Sequence, residues 1–202
     1  MKHLIFFALI ITCLLAACNS NKAKDSKTTD ETKTEASTES GSSDNTATNS
    51  ADEAQKKMDE MKKLPALTNE QLKAMLPEEL AGMKRKSLSV STNIGYGIAQ
   101  AEYKSEDGKE IRLAVFDCVG EAGVGWYNMM YWGVNMEQED ENGYQKTTTF
   151  NGNKAIEKYE KSQDQYTIMY PANNRLLVSI EGEKTGLDAL KQAANSLTLK
   201  TN

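Results

Sequence analysis

Apolar and polar residues alternate in several short runs of the C-terminal two thirds of the chain, which predicts half-buried β-strands. The run Gly97–Lys104 alternates throughout, and residues 111–119 continue the pattern after a turn at Asp107 and Gly108. These two runs predict a β-hairpin. Further strands are predicted over residues 87–92, 144–150, 153–161, 166–170 and 175–181, with turns at Asn151-Gly152 and Asn173-Asn174.

Apolar residues spaced three and four apart predict three helices. Thr68 and Gln71 form a capping-box pattern in front of a short apolar run, and Pro77 ends this first helix. A central helix is predicted over residues 126–136, and a closing helix over residues 187–197.

The predicted order is helix, three strands, helix, four strands, helix, and the links between strands are short. Short hairpin links favour antiparallel pairing, because parallel strands need long crossover connections. We therefore predict a globular α+β domain over residues 64–202. It consists of a single antiparallel sheet of about six to seven strands, with a short N-terminal helix, a central helix and a C-terminal helix packed on it.

The segment that precedes this domain is strongly polar. Residues 19–50 contain no aromatic residue and no Leu, Ile or Val. Such a segment buries too little apolar surface to offset the entropy of ordering, so we predict a disordered tether. Residues 51–63 are charged and helix-permissive, which leaves a frayed helix and an extension of the tether as alternatives. The tether is therefore assigned to residues 18–63.

Residues 1–17 have the features of a secretion signal peptide. Lys2 is basic, residues 4–15 are apolar except for Thr12, and Leu15-Ala16-Ala17-Cys18 follows. This ending resembles the bacterial lipobox, in which the cysteine sulfur receives diacylglycerol, the chain is cut before it, and the new amino group is acylated by a fatty acid such as palmitate.

The lipobox resemblance implies a lipoprotein of the cell envelope, held in a membrane by lipid on Cys18. In a diderm host the outer membrane is favoured, since Asn19 rather than aspartate follows the cysteine. The alternative is an ordinary secretory signal in which Cys18 is incidental.

Cleavage before Cys18 leaves 185 residues and removes His3, the one histidine of the chain. A chain without imidazole cannot use histidine as a catalytic base or as a metal ligand. Cys13 is removed as well, so Cys118 has no disulfide partner once Cys18 carries lipid. We expect Cys118 to be buried and inert.

Charge and composition also narrow the classes of function. The net charge is −5, and neither the tether nor the domain is basic, so we expect no nucleic-acid partner. An enzyme would have to use carboxylates such as Asp117 or Glu121. We predict a non-enzymatic protein without a cofactor or a metal ion.

Two segments partly match ion-binding motifs. Gly120, Gly123 and Gly125 lie between a strand and a helix, but their spacing reverses the dinucleotide fingerprint, which favours a flexible connection. Residues 138–143 partly match an EF-hand loop, yet Thr149 occupies the place of the bidentate glutamate. We interpret this acidic segment as the solvated end of the central helix.

The central helix is apolar most of the way round, which is typical of a helix that is either buried on both sides or exposed to a partner. We predict that it contacts an envelope protein or an apolar ligand. The candidate contact residues are Trp126, Tyr127, Met130, Tyr131 and Trp132. The alternative is that these side chains are core, in which case the protein is a structural or assembly accessory without a ligand.

Several segments resemble a family of uncharacterised bacterial envelope proteins over about residues 72–199. The segments that carry the likeness are 76–85, 99–103, 111–117, 143–147 and 152–160. The order of elements is also similar to PsbP and Mog1-like domains, which are mostly binding or assembly factors. The resemblance implies a fold and a binding role, and no chemistry.

Overall fold

The computed structural model describes residues 45–92, 95–132 and 134–201. The four α-helices in this part are α1 Asn45–Lys63, α2 Asn69–Ala74, α3 Gly120–Tyr127 and α4 Leu187–Asn195, and a π-helix Asn128–Trp132 continues α3. The strands are β1 Glu79–Leu80, β2 Met83–Ser91, β3 Gly97–Lys104, β4 Glu110–Asp117, β5 Glu137–Asp140, β6 Gly143–Phe150, β7 Asn153–Glu160, β8 Gln165–Ala172 and β9 Leu176–Glu183. None of the described helices is long and apolar enough to span a membrane.

The strands form a single antiparallel sheet in the order β1-β2-β3-β4-β9-β8-β7-β6-β5. The predicted α+β class and the antiparallel pairing are confirmed, but the predicted count of six to seven strands is wrong, because the described residues form nine. The additional strands are β1 and β5 at the two edges. β1 has two residues, and all four residues of β5 are exposed, so neither produces an alternating pattern.

Local signals correctly located several turns and one helix start. Asn151 and Gly152 have φ values of +51° and +74°, which is the left-handed conformation that a tight hairpin turn requires at both positions. The predicted capping box is confirmed, since the Thr68 side chain accepts from the Gln71 amide and the Gln71 side chain accepts from the Thr68 amide.

Side chains of each strand alternate between two faces of the sheet, and one of these faces, the inner face, carries the main core. Tyr103, Leu113 and Ile180 are almost fully buried there. Helices α2 and α4 pack on this face through Leu72 and Leu190. Burial of a side chain of this size stabilises the fold by about 1.5 to 3 kcal/mol relative to exposure.

The opposite face, the outer face, has a smaller second core at one end. There α1, α3 and the π-helix bring Met61, Tyr127 and Tyr131 against Leu177 of β9. For residues 51–63, a frayed helix and an extension of the tether were the alternatives, and this segment lies within α1. Met61 is 1% exposed, so the last turns of α1 belong to the packed structure.

The central helix lies earlier in the chain than predicted. Residues 120–132 are helical, whereas residues 137–140 form β5 rather than a solvated helix end. The flexible connection expected at Gly120, Gly123 and Gly125 is therefore the start of α3. A Cβ atom on Gly123 would lie 2.7 Å from the carbonyl carbon of Cys118, so glycine lets the helix begin directly beside the end of β4.

A buried ion pair joins the central strands at the helix-covered end of the sheet. Asp117 is fully buried at the end of β4, and Arg175 precedes β9. Arg175 Nε and Nη2 donate to the two carboxylate oxygens of Asp117, each over 2.8 Å. The Leu67 amide donates to Asp117 Oδ2 over 2.8 Å, and Arg175 Nη2 also donates to the Pro65 carbonyl over 2.7 Å. The pair thus fastens the link between α1 and α2 to the sheet.

Asp117→Asn should lower the free energy of unfolding by about 3 to 5 kcal/mol, because it leaves the buried guanidinium of Arg175 without its counter-charge. Urea denaturation followed by tryptophan fluorescence measures the change. Asp59→Asn is the matched control, since Asp59 pairs with Lys62 at 3.6 Å on the surface of α1. Equal stability of the two variants would contradict the role assigned to the pair.

Candidate functional site

The two tyrosines predicted as contact residues lie in the second core. Tyr127 is 2% exposed and Tyr131 is 1% exposed, and their ring centroids are 5.1 Å apart. The Tyr131 hydroxyl donates to the Lys154 carbonyl over 2.6 Å. Neither side chain can contact a partner unless the surrounding helices move.

Trp126 lies at the border between the second core and the rest of the outer face. Its ring stacks on Phe116 at a centroid distance of 4.2 Å and on Tyr96 at 5.7 Å. Neighbouring rings therefore lie against the indole, which remains only partly exposed.

Among the described side chains of the π-helix, its two methionines are the exposed apolar ones. Met130 is 38% exposed and its neighbour Met129 is 67% exposed. Among the predicted contact residues whose side chains are described, Met130 is thus the most exposed. The side chain of Trp132, and the predicted lipidation site Cys18 with its signal peptide, lie outside the described residues.

Cys118 is fully buried in the second core, as the sequence predicted. Burial raises the pKa of its thiol to about 12, and the neighbouring carboxylate of Asp117 acts in the same direction. A thiol with so high a pKa is a poor nucleophile. Of the two carboxylates considered for catalysis, Asp117 is bound to Arg175, and Glu121 is a surface residue 3.5 Å from Lys62.

The remaining part of the outer face carries polar side chains in two cross-strand rows, which we call the polar strip. Each row consists of residues that lie opposite one another on neighbouring antiparallel strands. It crosses the eight strands from β2 to β5. The first row consists of Ser87, Glu102, Arg112, Glu181, Thr167, Lys158, Gln145 and Gln138. The second consists of Lys84, Lys104, Glu110, Glu183, Gln165, Glu160, Gly143 and Asp140.

Arg112 lies in the half of the polar strip that β2, β3, β4 and β9 form, and neighbouring side chains hold it in place. Its Nη2 donates to Gln165 Oε1 over 2.6 Å, and its Nε lies 3.4 Å from Glu181 and 3.6 Å from Glu110. Lys104 lies 3.0 Å from Glu110, and this carboxylate raises the pKa of the lysine. The side chains therefore form a connected network of hydrogen bonds and ion pairs that restrains their geometry.

Two hollows lie along the polar strip. The larger, of about 350 Å³, lies over β2, β3, β4 and β9, and the smaller, of about 190 Å³, lies over β5, β6 and β7. Outer-face side chains in the larger hollow include Ser89, Gln100, Glu102, Arg112 and Glu181. The smaller hollow includes Gln138, Asp140, Gln145, Lys158 and Glu160. Polar side chains that can donate and accept hydrogen bonds line both hollows.

Sequence analysis did not identify the polar strip. Alternating strands do indicate one polar face, but that pattern is typical of any solvated sheet. Arg112 and Gln165 are 53 positions apart, and only the pairing of β4 with β9 and of β9 with β8 brings them together. Within the described residues, no group of three or more His, Cys, Asp or Glu side chains could hold a metal ion.

Tyr127→Phe should raise the free energy of unfolding by about 1 kcal/mol, because the buried Tyr127 hydroxyl has no hydrogen-bond partner in the described part of the chain. Tyr131→Phe is the matched comparison and should lower it by about 1 kcal/mol, since it removes the bond to Lys154. Urea denaturation of both variants measures the difference. A loss of stability in Tyr127→Phe equal to that in Tyr131→Phe would show that Tyr127 has a hidden partner.

No family model, no curated protein and no solved structure matches this chain. The likeness to bacterial envelope proteins and the analogy to PsbP and Mog1-like domains therefore stay predictions. The candidate site is assigned from the geometry of the polar strip.

Proposed function

We propose that this protein is an envelope lipoprotein whose domain is a non-enzymatic binding module for a partner protein. The lipid on Cys18 holds it in a membrane, and the tether carries the domain. The polar strip, rather than the buried face of the central helix, is the surface that contacts the partner.

The proposal rests on the polar strip, which the described helices leave uncovered and whose side chains form a network around Arg112. In the described part of the chain, α1, α3 and the π-helix pack over one end of this face, and the polar strip lies beyond them. Arg112 and its neighbours are fixed by mutual contacts, so binding orders few additional side chains. The strip is about seven strand spacings wide, or roughly 34 Å, which is wide enough for a protein partner.

A structural or assembly accessory without a ligand is the second candidate. The burial of Tyr127 and Tyr131 favours it, because the helix expected to bind a ligand contributes to the core instead. This candidate differs from the first in requiring no contact at the polar strip.

Cys18→Ala should release a soluble, folded domain from membranes, because the proposed anchor is the lipid on this sulfur. Fractionation of cells followed by immunoblotting measures the released fraction. Cys118→Ala is the matched control and should leave the protein in the membrane fraction. Retention in membranes of a Cys18→Ala variant from which residues 1–17 have been removed would refute lipid anchoring at this residue.

A photoreactive phenylalanine analogue at Ser89 should cross-link the lipidated protein to a discrete partner in intact envelopes. The same group at Gln192, which is exposed on α4 on the other side of the sheet, is the control and should give no such adduct. Gln100→Arg, which places bulk and charge in the larger hollow, should suppress the Ser89 adduct. Absence of a Ser89 adduct, or an equal adduct from Gln192, would favour the accessory without a ligand.

A further inference from the structure

We infer that the polar strip binds an extended segment of the partner that carries two basic side chains about eight residues apart. This inference rests on the proposed function and assigns the chemistry of the partner.

The polar strip contains more carboxylates than cations. Its carboxylates are Glu102, Glu110, Asp140, Glu160, Glu181 and Glu183, and its cations are Lys84, Lys104, Arg112 and Lys158. Surfaces with such an excess attract segments of opposite charge and repel acidic ones. The strip therefore favours a basic partner.

The excess is divided equally between the two hollows. The charged residues of the larger hollow are Glu102, Glu181 and Arg112, so its net charge is −1. The smaller hollow contains Asp140, Glu160 and Lys158, and its net charge is also −1. Each hollow can therefore take up one additional cation.

In each hollow, one carboxylate is less well paired than the other. Glu181 lies 3.4 Å from Arg112, whereas Glu102 lies 3.6 Å from Lys104, which is nearer to Glu110. Glu160 lies 2.8 Å from Lys158. Within the described residues Asp140 takes part in no ion pair, and its Oδ1 accepts from the Asn142 amide.

Glu102 and Asp140 therefore present the carboxylates that a basic side chain can reach. Glu102 is in the larger hollow and Asp140 is in the smaller hollow, so a partner that pairs with both must bridge the two hollows.

The distance between the two carboxylates sets the length of the segment. Glu102 lies on β3 and Asp140 lies on β5, and these strands are six spacings apart in the sheet order. At about 4.8 Å per spacing the separation is roughly 29 Å. An extended chain covers most of this distance in about eight residues at roughly 3.3 Å per residue, and an even number places both side chains on the same side of the segment.

The acidic character continues along the β5 edge of the sheet. Glu137 and Glu139 are exposed on β5, and in the described part of the chain neither takes part in an ion pair. They alternate with Gln138 and Asp140 along the strand, so their side chains lie on the inner-face side of this edge and not in the smaller hollow. They add negative charge to the edge, which favours approach of the basic segment from the β5 side.

The test is NMR titration of the mature, lipidated chain in detergent micelles with a blocked ten-residue peptide. The peptide has two lysines separated by seven serine and threonine residues, so both lysines lie on the same side of the extended chain. We expect shifts of the backbone amides of Gln100 and Gln145, one from each hollow. Raising the salt to 0.5 M should weaken the affinity several-fold, because exposed ion pairs are screened. A peptide with a single lysine should bind more weakly than the two-lysine peptide.

The variant Glu102→Gln with Asp140→Asn should weaken peptide binding about three- to tenfold, as expected for the loss of two exposed ion pairs. An asparagine side chain at position 140 can still accept a hydrogen bond from the backbone amide of Asn142, so the turn after β5 is kept. The matched control is Glu53→Gln with Glu60→Gln, which removes two exposed carboxylates from α1 and should leave the affinity unchanged.

Unmoved Gln100 and Gln145 resonances, or equal binding by the two double variants, would overturn the inference. If the Ser89 cross-link to a partner still forms, the proposed function stands and the partner uses another chemistry. If the peptide binds while Ser89 gives no adduct, the basic specificity of the strip stands and the proposed partner protein does not.

Discussion

The pairing of β4 with β9 is the constraint on which the rest of the fold depends. Strands β1 to β4 and strands β5 to β9 each form a meander, and these two meanders meet only at this pairing in the described sheet. The ion pair between Asp117 and Arg175 lies at the end of the β4–β9 pairing that the helices cover. A buried ion pair adds little net stability, but the loss of one partner is costly, so the pair favours one register of the two meanders over others.

That register also creates the polar strip. Arg112 on β4 faces Glu181 on β9 only if the two strands pair as they do, and Gln165 on β8 comes within reach of Arg112 for the same reason. The outer face is apolar near Asp117, where Phe116 and Leu177 meet the helices, and charged at the other end. Packing at one end of the face therefore leaves the polar strip uncovered by helices within the described part of the chain.

Much of the fold could be predicted because its signals are local. The hairpin of β3 and β4 follows from alternation and one turn, and the start of α2 follows from a capping box. The helix over residues 120–132 was predicted too late in the chain, because three glycines at its start favoured a flexible connection. Gly123 is needed there because the helix begins in close contact with Cys118. β5 was missed because a fully exposed edge strand has no apolar face to reveal it.

The sequence by itself determined the α+β class, most strand positions and the burial of Cys118, because these depend on neighbours along the chain and on side-chain hydrophobicity. It also predicts the anchor at Cys18, which rests on a local motif. Only the tertiary structure decided that Tyr127 and Tyr131 are core and that the open surface is polar. Those outcomes depend on strand order and on which helices cover which face, and both are set by contacts between residues far apart in the chain.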